Sequence, residues 1–199
     1  MISSGAVVLS GCLASSSGQS DGETSGDLPP DAKREIRNVA ISGVPEDAPV
    51  SFDVTVADPW ITPSSTATLS VTTVNETEAE QSVRPAFITG QSSDFGPEGV
   101  VCYNHVAADF DVGEYAPPCY SGGSNESYVR VSDGSDEEDY VVFASYGYGT
   151  DTIPPGDSRA GSVIVADDPT VDGCFPPDSY RVVDRINYDM ELSFDIVSV

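Results

Sequence analysis

Between Ser51 and Ala57 the sequence alternates Phe52, Val54 and Val56 with Ser51, Asp53 and Thr55, and this one-for-one alternation limits the fold more than any other feature. A period of two puts successive side chains on opposite faces of an extended strand, one face for a core and one for water. The period returns in residues 35–42, with Val39 and Ile41 on one face, and in residues 67–74, with Leu69 and Val71. It is clearest in residues 191–196, where Leu192, Phe194 and Ile196 alternate with Glu191, Ser193 and Asp195. There the phase then breaks, because Val197 and Val199 fall on the polar face and Ser198 on the apolar one, so the strand is expected to end, bulge or be covered. Shorter strands are expected at 83–89, 100–106, 128–132, 140–146, 162–166 and 180–186. Pro and Gly punctuate the segments between, as in Pro117-Pro118, Pro154-Pro155-Gly156 and Pro176-Pro177, and no stretch of twelve residues has helical spacing. The pattern predicts an all-β chain: an antiparallel β-sandwich of about nine or ten short strands over residues 33–199.

The residues before this body are of another kind. A short apolar run, Ala6-Val7-Val8-Leu9, leads into Leu9-Ser10-Gly11-Cys12. A branched apolar residue, two small residues and a cysteine resemble the lipobox of secreted lipoproteins. The resemblance implies that residues 1–12 are a signal segment and that the Cys12 thiol takes a lipid. Residues 13–32 are rich in Ser, Gly and Asp and end in Pro29-Pro30, a composition that cannot bury a core and serves as a flexible tether. The expected location is the extracytoplasmic face of a membrane, with the lipid as the membrane contact.

Charge narrows the partners. The chain holds 33 Asp and Glu against 8 Lys and Arg, a net charge of -25, and Lys33 is its one lysine. Such a surface is repelled by nucleic acid and by anionic lipid, so neither is expected as a partner. The acids are spread along the whole chain rather than gathered in a tail. In molar salt the Debye length falls to roughly 3 Å, and self-repulsion on this scale is nearly gone. Spread Asp and Glu with almost no Lys resemble proteins of halophilic archaea.

A further resemblance lies in the last two thirds of the chain. Strand 66–74 running into Asn75-Glu76-Thr77 is similar to the strand-then-Asn turn of extracellular Ig-like domains. Ile153-Pro154-Pro155-Gly156-Asp157-Ser158, the strand 162–166, and Gly173-Cys174-Phe175-Pro176-Pro177 before Tyr180-Arg181-Val182 follow a related plan. They resemble Ig-like modules of archaeal surface lipoproteins and of the intracellular proteinase inhibitor type. The resemblance implies a fold rather than an activity. The antibody lineage is not implied, since Trp60 precedes every cysteine of the body.

Few residues carry chemistry. His105 is the only histidine, and no strand-to-helix turn is expected to present a serine nucleophile to it. A blue-copper site takes two His and a Cys, so one His excludes it. Phosphate-loop, dinucleotide and His-Glu-x-x-His patterns are missing from the sequence. Cys102-x-x-His105 with Cys119 and Cys174 has the makings of a Cys₃His zinc site, but residues i and i+3 of a strand face opposite ways, so no metal is expected there. The loop with Asp133, Asp136, Glu137, Glu138 and Asp139 is a weak cation candidate. It puts Gly134 second, where a calcium loop needs glycine sixth, and reads as a solvated hairpin tip. Asn75 and Asn125 head Asn-x-Thr and Asn-x-Ser acceptor patterns for glycans, in expected loops.

With Cys12 given to lipid, three cysteines remain. Cys119 and Cys174 lie beside Pro and Gly, where backbone can meet disulfide geometry, whereas Cys102 sits in the apolar run Val100-Val101-Cys102-Tyr103. The expected pair is Cys119 with Cys174, the rival Cys102 with Cys119.

These features point to a non-catalytic, lipid-anchored surface lipoprotein without cofactor, acting as a binding or interaction module toward an envelope protein. Two alternatives are a small-ligand or cation binding protein of the envelope and, by fold analogy alone, a proteinase-inhibitor-like module. The charge also sets a condition for folding. Melting temperatures are expected to fall steadily as KCl is lowered from molar to millimolar, and a salt-independent melt contradicts the halophilic reading.

Overall fold

A computed structural model describes residues 28–87, 89–91, 97–104, 150–168, 171 and 173–199. These residues are all-β, with no helix among them, and form antiparallel sheets in a sandwich-like arrangement. The strands are β1 (Arg34–Ser42), β2 (Val50–Asp58), β3 (Trp60–Ile61), β4 (Thr68–Asn75), β5 (Gln81–Val83), β6 (Thr89–Gln91), β7 (Val100–Asn104), β8 (Asp151–Ile153), β9 (Ser158–Asp167), β10 (Asp178–Asp184) and β11 (Met190–Ser198). One sheet has the order β10-β11-β1-β3, a second β2-β4-β9-β7-β6, and β5 pairs with β8. The expected strands at 128–132 and 140–146 lie outside the described residues.

The alternating residues do what their period demands. Leu192, Phe194 and Ile196 of β11 face Leu69, Val71, Val163 and Val165 of β4 and β9 in one core, each at most 2% exposed. Burying one such side chain contributes roughly 1.5–3 kcal/mol. Tyr180 stacks on Phe194 with ring centroids 5.8 Å apart and closes the core beside β10.

In β1 the apolar parity is inconsistent, because Ile36 and Ile41 are an odd number of residues apart yet both must face inward. A β-bulge resolves the conflict. Ile36 lies opposite Ile196 and Ile41 opposite Leu192, and the register slips by one residue between Arg37 and Ala40. Asn38 takes the left-handed conformation there, φ +54°, a region Asn tolerates better than most residues. Its Nδ2 donates to Asp195 Oδ2 at 2.6 Å.

Elsewhere the strand limits differ from expectation. The strand expected at 83–89 is two strands, β5 and β6. Pro85 has no N–H for a ladder, and a turn with Phe87 at φ +51° separates them. β9 begins at Ser158 rather than 162, carried by pairing with β4 through residues without apolar alternation. β11 does not stop at the phase break: Val197 pairs with Glu35 and Ser198 with Arg34. The short strands β3 and β8 have no counterpart among the expected strands, being too short to show a period.

Gly161 is fixed by a neighbour. A Cβ there would lie 2.8 Å from Asn104 Nδ2, and that buried amide donates to Ala86 O at 2.7 Å. Gly161→Ala is therefore expected to lower stability by about 1–3 kcal/mol through the displaced amide, read as a lower urea midpoint with unchanged slope.

Candidate functional site

The antiparallel β1 and β11 give the sandwich two poles. Arg34, the first residue of β1, lies by Ser198 and Ile61, while Ser42 at its far end lies opposite Glu191. Nine residues of strand separate these ends, roughly 30 Å. The chain thus enters the sandwich at one pole, and the β10–β11 hairpin turns at the other.

At the hairpin pole the turn of residues 185–189 is held by one side chain. Asp184 is 3% exposed. Its Oδ1 accepts from Ile186 N at 2.9 Å and Asn187 N at 3.1 Å, and its Oδ2 from Phe87 N and Asn187 Nδ2, both at 2.8 Å. This cap ends β10 at 184, short of the expected 186. Tyr188 and Asp189 follow at φ +64° and +54°, two successive left-handed residues without a glycine. The Tyr188 ring meets Phe52 of β2 edge-on at 6.2 Å. Ile186 remains 48% exposed and Tyr188 40%. The other exposed large apolar side chains among the described residues, Leu28 and Val199, lie before the first strand and after the last.

Asn75, an expected glycan acceptor in a loop, is instead the last residue of β4 and 1% exposed. Its Nδ2, the atom that would carry a glycan, donates to Ala79 O at 2.7 Å and Ile153 O at 2.9 Å. Its Oδ1 accepts from Thr77 N and Thr77 Oγ1. The acceptor pattern serves here as a turn that ties β4 to β8, and a glycan on this nitrogen would take the hydrogen of one of these two bonds.

At the entry pole, Arg34 Nε donates to Phe175 O at 3.0 Å, and Phe175 N donates to Asp167 Oδ1 at 2.8 Å. The Tyr180 hydroxyl donates to Pro176 O at 2.5 Å. These bonds pin the segment that carries Cys174. Burial pushes the Asp167 carboxyl up to about 6, the Phe175 N–H opposing and Asp168 adding. Burial, with Asp178 and Asp167, raises the Tyr180 hydroxyl to about 12 against the pull of Arg34.

Cys102 is fully buried on β7 and free, and burial pushes its thiol up to about 12. Its freedom removes the rival 102–119 bridge. Cys174 is half-buried and disulfide-bonded, and no disulfide joins two described residues. Cys12, His105, Cys119, Asn125 and the acidic loop of Asp133, Asp136, Glu137, Glu138 and Asp139 lie outside the described residues. Among the described residues no three His, Cys, Asp or Glu gather in a way that could hold a metal, and no helix is long and apolar enough to cross a membrane.

The sequence reading passed over the hairpin tip. Ile186 looked like the end of a strand, and the available signal was Asp184 followed by Asn187 and Asp189, types that cap turns and accept left-handed backbone. No protein-family model, curated protein or solved structure matches the chain.

Asp167 gives a pH signature. Its folded value of about 6 exceeds the ordinary 3.8, so its stabilising contribution is complete below 3.8 and is lost as pH rises through about 6. Asp167→Asn keeps an acceptor for Phe175 N–H and removes the charge. Melting temperatures of the variant are expected to decline less than those of wild type between pH 4 and 7, and parallel profiles contradict the assignment.

Proposed function

We propose that this chain is a non-catalytic, lipid-anchored module at the extracytoplasmic face of the membrane. Its sandwich is of the Ig-like kind, and it engages an envelope protein at high salt through the pole away from its tether. The observation that carries this reading is the β10–β11 tip. Two large apolar side chains, Ile186 and Tyr188, stand exposed on a turn braced by a buried carboxylate. Left-handed backbone at a tyrosine is sparsely populated and costs about 1–3 kcal/mol, a strain that tends to occur where a loop has work to do. A rigid aromatic beside an aliphatic residue loses little freedom on binding and is a common anchor of protein interfaces.

The lipid anchor rests on Leu9-Ser10-Gly11-Cys12 and the polar tether after it. A tether entering at Arg34 turns the β10–β11 tip away from the membrane. The disulfide partner proposed for Cys174 is Cys119, because Cys102 is free and Cys12 is assigned to lipid. A linked Cys119–Cys174 peptide in a non-reducing digest is the result that supports the pairing.

One set of envelope fractionations at molar KCl tests the whole reading, with wild type, Cys12→Ser and the double variant Ile186→Ser, Tyr188→Ser. Cys12→Ser is expected to leave the membrane fraction. Wild type is expected to retain a partner saturably, and the double variant to hold it about thirtyfold more weakly, near 2 kcal/mol, at unchanged melting temperature. Retention by both, or saturable retention by neither, overturns the tip as the contact surface.

A further inference from the structure

We propose that residues 105–149 of this chain dock on the outer face of β7 and β9 and cover it as a third layer of the fold. Register sorts the two faces of that sheet. Val163 and Val165 of β9 lie level with Leu69 and Cys102 and face the core shared with the sheet β10-β11-β1-β3. Ile164 pairs with Thr68, and Ala166 with Val101, so these side chains point the other way. Yet Ile164 and Ala166 are 0% exposed and Val101 2%, and none of the three belongs to that core. Elsewhere on the same face the side chains are polar and open. Asp53 and Thr55 of β2 and Ser158 of β9 are exposed, and Ser70, Thr72 and Ser162 are half-buried.

The sequence of the two strands agrees with their burial. Where one face is wet, as in β2, apolar and polar residues alternate. In Val163-Ile164-Val165-Ala166 and Val100-Val101-Cys102 they do not, and an unbroken apolar run is the mark of a strand covered on both faces. The facing sheet is one cover. The second is needed only over β7 and the latter half of β9, because β2, β4 and the start of β9 turn polar residues outward.

Three observations select the occupant. Val101, Ile164 and Ala166 are buried within a single chain. The 45 residues of 105–149 depart from the border of the patch, since Asn104 ends β7 and pairs with Val163, the neighbour of Ile164. They return at β8, whose Asp151 lines the same shallow depression as Asn104, so the excursion starts and ends at one place. Its composition also fits. The strands expected at 128–132 and 140–146 carry Val129, Val131, Val141 and Phe143 at alternate positions and no acid, while five acids sit in the turn between them. A carboxylate set against Ile164 and Val101 would be costly, whereas valine and phenylalanine are suited to that contact. A two-stranded hairpin is marginal by itself in water and gains stability by laying its apolar face on another layer.

The test uses the full chain in molar KCl, with Ile, Val and Ala methyls and Phe and Tyr rings labelled for NMR. The methyls of Val101, Ile164 and Ala166 are expected to give nuclear Overhauser cross-peaks to side chains of residues 105–149, as groups in contact within roughly 4.5 Å do. In a mixture of differently labelled chains these cross-peaks should stay within one chain. A soluble gadolinium chelate should broaden the three methyls no more than those of Leu69 and Leu192 in the core. Cross-peaks between chains alone assign the face to a second copy, and strong broadening by the chelate assigns it to a partner from outside. Either result overturns the proposal, as do cross-peaks to the described residues alone. No arm involves Ile186 or Tyr188, so the outcome is independent of the tip as a contact surface.

Discussion

Asp184 puts a carboxylate at the end of the core, 3% exposed and held by N–H groups of described residues rather than by a cation. An uncompensated charge in that position would cost several kcal/mol, and four N–H donors offset the cost. Those donors come from two places. Three belong to the hairpin turn at Ile186 and Asn187, and the fourth is the backbone of Phe87 between β5 and β6. One side chain therefore fixes the shape of the tip and joins β10 to the segment between β5 and β6. The left-handed backbone at Tyr188 follows directly from the turn that this junction holds.

The entry pole is built on a different balance. Arg34, Phe175, Asp167, Pro176 and Tyr180 share hydrogen bonds there, and among the described residues Asp167 has one backbone donor, Phe175 N–H, against its burial. Burial dominates at Asp167 and lifts its carboxyl toward neutral pH. Surface ion pairs add little to either pole, because Arg37–Glu35 and Arg181–Glu191 are exposed and solvent screens them. Cohesion falls to the apolar layer, and salt screens the repulsion among the surface acids.

The sequence was legible where one face is apolar and regular. β2, β4 and β11 were visible from Val54, Leu69, Val71, Leu192, Phe194 and Ile196, because burial and period coincide there. β9 was half visible, since Ser158 to Gly161 are held by the β4 ladder rather than by side-chain pattern. The bulge at Asn38 reverses parity within β1, which a strict period of two cannot represent. Asn75 shows a different limit: an Asn-x-Thr triplet reads the same whether its amide is offered to solvent or turned into the end of a strand. The tip escaped notice because Ile186 continues the apolar run of β10, and only the Asp184 carboxylate stops it.

Cys102 bears on the timing of folding. Disulfide exchange proceeds through a thiolate that can reach the bridge it attacks. Once β7 is seated, the Cys102 thiol is fully buried with a value near 12, so it offers almost no thiolate at neutral pH and no line of approach. Before β7 is seated the same sulfur is an ordinary competitor for any oxidised cysteine of the chain. Closure of the sandwich therefore withdraws the Cys102 sulfur from exchange with the bridge at Cys174.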